Sequence, residues 1–447
     1  MRRLVTVVFS LLALTVATFS QSDRGTITGT VSDPAQAVVP SAPVIAKNTE
    51  TGAQYQTVTT ATGNFTLPSL PSGIYDLSVT AAGFLGFVQQ GIRVQVAETA
   101  RIDVVLKVGS TKETITVTAD APLLRTESVD VSNNVTRDGV DSLPLSQVSS
   151  NVRSPMAFTT LTPSATDLGS GAMRVNGQPN NTYKFLLDGQ DITSSTNGSG
   201  TQSQAPSVEA LQEFSLQTSN FSAEFGQVTG GLYNVTSRSG ANQLHGSAYE
   251  YFVNEDLNAG QPFTSSGNGH LVRPRNRKNN FGFTVGGPIV IPKLYHGRDK
   301  TFFFLNFEQF RQNTLSSGTF ATVPTAAMRN GNFSAALTGR TLGTDPLGRA
   351  ILENVIYDPQ TSRTASGVTV RDPFPNNTIP VARFDPVAVK IQALIPQPSN
   401  SALVNNWQQI YENPFVRTIP SVKIDHYFGG ALKMSAYYAA YLDDSVT

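Results

Sequence analysis

Few residues of this 447-residue chain have the types and spacing that covalent chemistry requires. Asp188, in Phe185-Leu186-Leu187-Asp188-Gly189, could serve as a general acid. No partner acid or base stands at a recognisable spacing from it, and Asp-Gly after an apolar run is the mark of a tight turn. The four histidines, His245, His270, His296 and His426, form neither an H-E-x-x-H motif nor a close i, i+4 pair, so a zinc hydrolase is unsupported. The chain has no cysteine, which excludes thiol catalysis and thiolate-held metals. No phosphate loop and no nucleophile–base pair is present. The expectation is a protein with no catalytic residue, no metal and no cofactor, and not an enzyme. Arg273, Arg275, Arg277 and Lys278 form a basic cluster. Most such clusters are solvated faces; contact with anionic lipopolysaccharide is a minority reading. Lys+Arg and Asp+Glu both count 32, and this zero net charge removes the usual argument for a nucleic-acid partner.

What remains is chemistry of the backbone. Residues 111–121 read TKETITVTADA. An extended segment with alternating Ile115 and Val117 can add to the edge of a partner's sheet through its main-chain groups. On composition alone the same stretch is a linker with β-propensity.

The elements that must position such a strand are mostly β. Charged residues make up 14% of the chain, while Gly (36) and Pro (26) are plentiful, which favours a turn-rich β protein over a helical one. Arg2 and Arg3, an apolar run from Leu4 to Phe19 and the small residues before Gln21 make residues 1–20 a secretory signal peptide. A membrane anchor is the weaker reading, because the run is short for a bilayer span. Residues 24–108 hold closely spaced β-like runs at Gly25–Ser32, Val38–Lys47, Tyr55–Thr60, Gly63–Pro68, Gly73–Thr80 and Ala100–Val108, which predict a β-sandwich. From 120 to 240 a helical stretch beginning at Leu143 runs through Val152–Thr160. Strands are predicted at Met173–Asn176, Tyr183–Leu187, Phe214–Thr218 and Gly231–Ser237, with Ser207 as N-cap of a short helix.

Residues 241–447 hold five strands, Gln243–Val253, Asn280–Val290, Thr301–Arg311, Ser421–Phe428 and Ala431–Leu442. Each alternates an apolar, aromatic face with a polar one; on the first, Tyr249, Tyr251 and Val253 form the apolar set against Ala248 and Glu250. A soluble half-buried sheet gives the same pattern, so alternation alone decides nothing. The connections decide more: they run long, short, very long (312–420), then very short, as expected of a transmembrane barrel with long loops on one side. In the long loop, Asp385, Pro386 and Pro396 bracket a helix whose Val387, Ile391 and Leu394 share a face.

Three segments carry a family resemblance. GTITGTVSDPAQAVVPSAPVIAKNTETG with ATGNFTLPSLPSGIYDLSVTAAGF resembles the carboxypeptidase regulatory-like domain, a non-catalytic appendage. RVNGQPNNTYKFLLDGQDIT with VEALQEFSLQTSNFSAEFGQVTGGLYNVTSRSGANQLHG resembles the plug domain of TonB-dependent outer-membrane receptors, and the module order that of their Oar-like group. Glu113, Thr114, Ile115, Thr116, Val117, Thr118 and Ala119 resemble the TonB box. The resemblance implies a mainly β chain with a signal peptide (1–20), an Ig/transthyretin-like β-sandwich (21–110), a TonB-box-like linker (111–121), an α+β plug (122–240) and an incomplete antiparallel transmembrane β-barrel (241–447). It implies Asp188 and Gly189 as a plug turn, and Gly230, Gly231 and Gly240 as a plug–barrel hinge. The implied partners are TonB with its inner-membrane energising proteins, outer-membrane lipid, and a small solute, glycan or peptide. The implied location is the outer membrane, with sandwich and plug on the periplasmic side. The implied function is TonB-dependent uptake of a scarce solute; the alternative is a carbohydrate-binding or structural surface protein without transport. Five strands cannot close around a plug, so the expectation is an open, curved sheet and a chain that is the N-terminal piece of a longer protein.

Overall fold

The computed structural model describes residues 24–109, 114–118, 127, 130–142, 153–167, 173–179, 182–193, 205–221, 225–226, 228–265, 270–429 and 432–445. The signal-peptide stretch, Glu113 and Ala119 lie outside these residues, as does the helical stretch predicted from Leu143 to Val152.

The N-terminal module is a two-sheet sandwich. One sheet has the order β4 (Asn64–Pro71), β1 (Arg24–Ser32), β7 (Thr99–Arg101), with β8 (Val104–Val105) also on β1. The other has the order β3 (Gln54–Val58), β2 (Pro43–Asn48), β5 (Gly73–Val79), β6 (Gly86–Val94), β9 (Thr114–Thr118). Period-2 alternation turns Ile27 and Val31 of β1, Phe65 and Leu67 of β4, and Tyr75, Leu77 and Val79 of β5 into one buried core between the sheets. Three expectations change here. The run from Val38 becomes a strand only at Pro43. The run Ala100–Val108 is two short strands, both parallel to β1. The sequence GFVQQGIRV, not foreseen as a strand, is β6. Its alternation is interrupted by a bulge: Tyr75 pairs with Ile92 but Leu77 with Gln89, and Gly91 takes φ +77° where the register slips.

The sheet that follows the sandwich, the inner sheet, is mixed: β10 (Val131–Thr136), β15 (Leu211–Ser219), β16 (Leu232–Ser237), β13 (Lys184–Leu187), β14 (Gln190–Asp191). A small hairpin of β11 (Ala165–Asp167) and β12 (Met173–Val175) lies beside it in sequence. Its core gathers aromatics around the buried Tyr233, whose ring lies 5.0 Å from Tyr183 and 6.0 Å from both Phe185 and Phe214. Val208–Ala210 is a single helical turn. Ser207 does not cap it with its side chain, which instead donates to Asn306 at 3.3 Å.

The next large sheet, the wall, has the order β17 (His245–Val253), β18 (Asn276–Pro288), β21 (Thr301–Ala321), β26 (Trp407–Tyr427), β27 (Lys433–Ala439), with β28 (Leu442–Ser445) also on β26. Between its strands lies the small hairpin β19 (Val290–Ile291) and β20 (Tyr295–His296). Among the described residues β17 and β27 do not pair, so the sheet is open. β21 and β26 are each 21 residues long, far longer than the sequence suggested, so the connection contracts to residues 322–406. Glycine weakens a strand and proline cannot donate to a ladder, yet β21 runs through Gly318 and β26 through Pro414 and Pro420.

Residues 314–413 form a separate compact unit. It contains the hairpins β22 (Thr341–Thr344) with β23 (Ala350–Leu352) and β24 (Tyr357–Ala365) with β25 (Val368–Pro373). Its helix Pro386–Leu394 starts as expected, with Asp385 accepting from the N–H groups of Val387 and Ala388. The buried Asn406 side chain bonds both the N–H and the C=O of Val323, at 2.8 and 2.9 Å. Ion pairs tie the hairpins: Asp358 with Arg383 at 2.8 and 2.9 Å, and Asp372 with Arg363 and Arg349. The Arg383 guanidinium, then the Gln360 N–H, hold the Asp358 carboxyl down to about 2. A carboxyl whose folded value lies below its ordinary value of about 3.9 stabilises fully above that value and loses the contribution as pH falls through the folded one. Trp407, the chain's one tryptophan, lies in this unit. Its fluorescence is expected to report a melting temperature that is steady near neutrality and falls between about pH 4 and pH 2. A melting temperature steady down to about pH 2 would refute the assignment.

Candidate functional site

The wall's faces are reversed relative to a soluble sheet. On β18, β21 and β26 the polar residues Asn280, Thr284, Asn306, Glu308, Ser421, Lys423 and Asp425 are buried. Glu308 is 0% and Asp425 1% exposed, whereas Phe283 is 49% and Ile424 43% exposed on the other face. Phe302, Phe304 and Phe310 share the buried side. A sheet that hides carboxylates and presents aromatics outward suits a solvent of hydrocarbon. β17 departs from the expected parity. Tyr249 pairs with Gly282 and Tyr251 with Asn280, so the tyrosines lie on the buried polar face, while Glu250, opposite Phe281, lies on the outer one. Alternation alone could not say which face of this strand turned inward.

The buried wall residues meet the inner sheet. Glu308 accepts from Asn280 Nδ2 at 2.6 Å, from Tyr249 Oη at 3.3 Å and from Ser207 Oγ. Glu209, on the turn after Ser207, accepts from Arg137 at 2.7 Å and from Arg153 at 3.2 Å. Arg153 in turn lies over the Tyr251 ring, 3.8 Å from its centroid. Lys423 Nζ donates to Asp188 Oδ2 at 3.1 Å, to Ser237 Oγ at 2.8 Å and to the Ser237 carbonyl at 3.2 Å. Asp188 sits at φ +48° and Gly189 at +78°, the geometry of a tight hairpin turn, and Asp188 Oδ1 accepts from the Ser237 N–H at 2.9 Å. The expected turn thus doubles as a carboxylate site for a wall lysine. A cavity of about 830 Å³ opens beside it, lined by Arg24, Glu50, Tyr55, Asp188, Lys423 and Tyr437.

The three glycines read as a hinge are points of close approach. A Cβ on Gly230 would fall 2.3 Å from Thr182 Oγ1, and one on Gly240 2.3 Å from the Phe303 carbonyl. Gly231 has φ +114° and its carbonyl accepts from the Lys184 N–H, joining the ladder of β13. All three are buried. A side chain at Gly230 or Gly240 would not fit unless these neighbours moved.

Thr114–Thr118 forms the strand expected of it, but not an isolated one. β9 pairs in parallel with β6, from Gly86 opposite Thr114 to Gln90 opposite Thr118. Apart from the half-buried Ile115 its residues are exposed, and it is the last strand of its sheet.

Among the described residues no three His, Cys, Asp or Glu side chains gather as metal ligands. No described helix is long and apolar enough to cross a membrane, which says nothing of strands.

Comparison with known proteins agrees with this layout. The outer membrane beta barrel domain matches residues 236–447, and the carboxypeptidase regulatory-like domain matches residues 26–107. The TonB-dependent transporter Oar of Myxococcus xanthus is 28% identical over 299 residues, covering 65% of this chain and 27% of that protein. The chain therefore spans little more than a quarter of the curated relative's length. Among solved structures, the outer membrane transporter YddB of Escherichia coli is similar at a TM-score of 0.35 and 11% identity, over 70% of this chain and 33% of that one. The siderophore receptor PirA of Pseudomonas aeruginosa is similar at 0.31 and 11%, over 70% and 41%. The matched domains, their order and the similarity to the Oar transporter place the chain in the outer membrane and liken it to TonB-dependent transporters.

Proposed function

We propose that the chain takes part in TonB-dependent uptake of a scarce solute, a glycan or peptide among the classes considered. In this reading the inner sheet is the plug and the wall is the first part of the barrel around it. The sandwich stands in the periplasm, and β9 is the strand through which TonB delivers energy from the inner membrane. The observation that carries the reading is the reversed polarity of the wall: charged groups are buried against the inner sheet while Phe283 and Ile424 face outward. The Lys423–Asp188 ion pair, between the wall and the inner sheet, supports the same reading because it seats one against the other.

Deleting Glu113–Ala119 is expected to abolish energised uptake and capture of TonB's periplasmic domain, while solute binding to the cell surface is retained. Uptake that survives the deletion would remove the coupling role from this segment.

A further inference from the structure

β6 joins two things that the proposed function needs to connect. Along one edge it holds β9 in five-residue parallel register. At its C-terminal end it reaches the inner sheet. The Val96 N–H donates to Glu213 Oε2 at 3.1 Å, Asn134 Nδ2 lies 3.5 Å from Gln95 Oε1, and Arg93 lies 3.7 Å from Asp138. Glu213 belongs to β15, and it is buried. The sandwich is also held to the turns below the wall. The Asn242 N–H donates to the Glu50 carbonyl at 3.0 Å, and Asn242 and Asp299 exchange bonds of 2.7 and 2.8 Å beside Gly52.

A strand has two edges. With β6 on one side, the N–H and C=O groups of β9 that point the other way face no further strand among the described residues. An extended backbone is the chemical partner such an edge accepts. Resting on the coupling role proposed above, we infer that β9 stays paired with β6 when TonB engages it. TonB's strand adds to the outer edge as the sixth strand of the sandwich sheet, and β6 relays the pull to the inner sheet through Val96 and Glu213. The sandwich is then the handle on which the pull acts. A model in which β9 peels off as a bare tether would leave it no such part.

Because these 447 residues contain no cysteine, introduced thiols are unique among them. Gln90 and Thr118 are exposed register partners at the end of the ladder. The Q90C/T118C chain in outer membranes is joined with a short, reversible bis-thiosulfonate cross-linker, which does not demand the specific geometry of a direct disulfide. Capture of the purified periplasmic domain of TonB is then measured before and after reduction of the same sample. The expected result is a cross-link in native membranes and equal capture in both states. Capture that falls at least about tenfold when the strands are joined and returns on reduction would show that β9 must leave β6, and would overturn the inference alone. Failure of the thiols to cross-link would overturn the pairing itself. Capture absent in both states, as in the chain lacking residues 113–119, would remove the coupling role and this inference with it.

Discussion

Glu209→Leu is expected to destabilise the inner sheet by about 3–5 kcal/mol, the usual consequence of leaving a buried charge without its partner. Glu209 is buried and divides its two oxygens between Arg137 and Arg153. Arg137 keeps other partners when the carboxylate goes: Asp141 and the carbonyls of Val208 and Leu211. Arg153 is left with the Tyr251 and Tyr249 rings, and its side chain is 1% exposed. A cation–π contact returns about 1–2 kcal/mol, less than desolvating a guanidinium costs. The loss should therefore fall mainly on Arg153. The double variant Glu209→Leu with Arg153→Met should recover most of it, because an apolar pair of similar volume carries no desolvation debt. Pulse proteolysis across a urea series reads both variants. If the single variant loses less than about 1 kcal/mol, the carboxylate is not what holds Arg153 in place.

That clasp was not legible in the sequence, and the reason is physical. Its members are separated by 56 and 72 residues, and no periodicity links a turn residue to an arginine on another element. Local signals worked where one element decides its own fate. Asp385-Pro386 opened a helix, and Asp188-Gly189 made a turn. The alternation that puts Tyr75, Leu77 and Val79 on one face placed all three in the sandwich core. They failed where a neighbour intervenes. β6 hides its period behind a bulge at Gly91, and β21 and β26 run on through glycine and prolines because each has the other as a ladder. The tyrosine face of β17 turned inward because Asn280 and Gly282 on β18 set its register. One signal for the wall's charged site was present: Lys423 and Asp425 alternate with Val422 and Ile424. In a strand whose apolar face meets lipid, such charges must face a partner within the protein.

Lys423→Met tests that partner directly. Lys423 Nζ gathers the turn at Asp188 and the end of β16 at Ser237 onto a wall strand, with a side chain 5% exposed against 18% for Asp188. Removing the ammonium leaves the Asp188 carboxylate with the Ser237 N–H and hydroxyl but no counter-charge. The expected loss is about 3 kcal/mol in attachment of the inner sheet. Asp188→Asn should also destabilise, leaving the lysine with Ser237 and the neighbouring charge of Asp425. The double variant should cost clearly less than the sum of the two, with a coupling of about 2 kcal/mol or more by the same urea assay. Effects that add within about 0.5 kcal/mol would mean that the two groups are neighbours without being linked, and the pair could not act as a latch. Salt separates this pair from the exposed ones. Screening acts over about 8 Å of solvent at physiological ionic strength, and water hardly reaches Lys423. Raising the salt concentration should therefore weaken the exposed Arg93–Asp138 contact while leaving the Lys423–Asp188 coupling in place. On the proposed reading, in which the inner sheet is a plug that stays seated until it is pulled, a bond that resists ions serves better than one that ions dissolve.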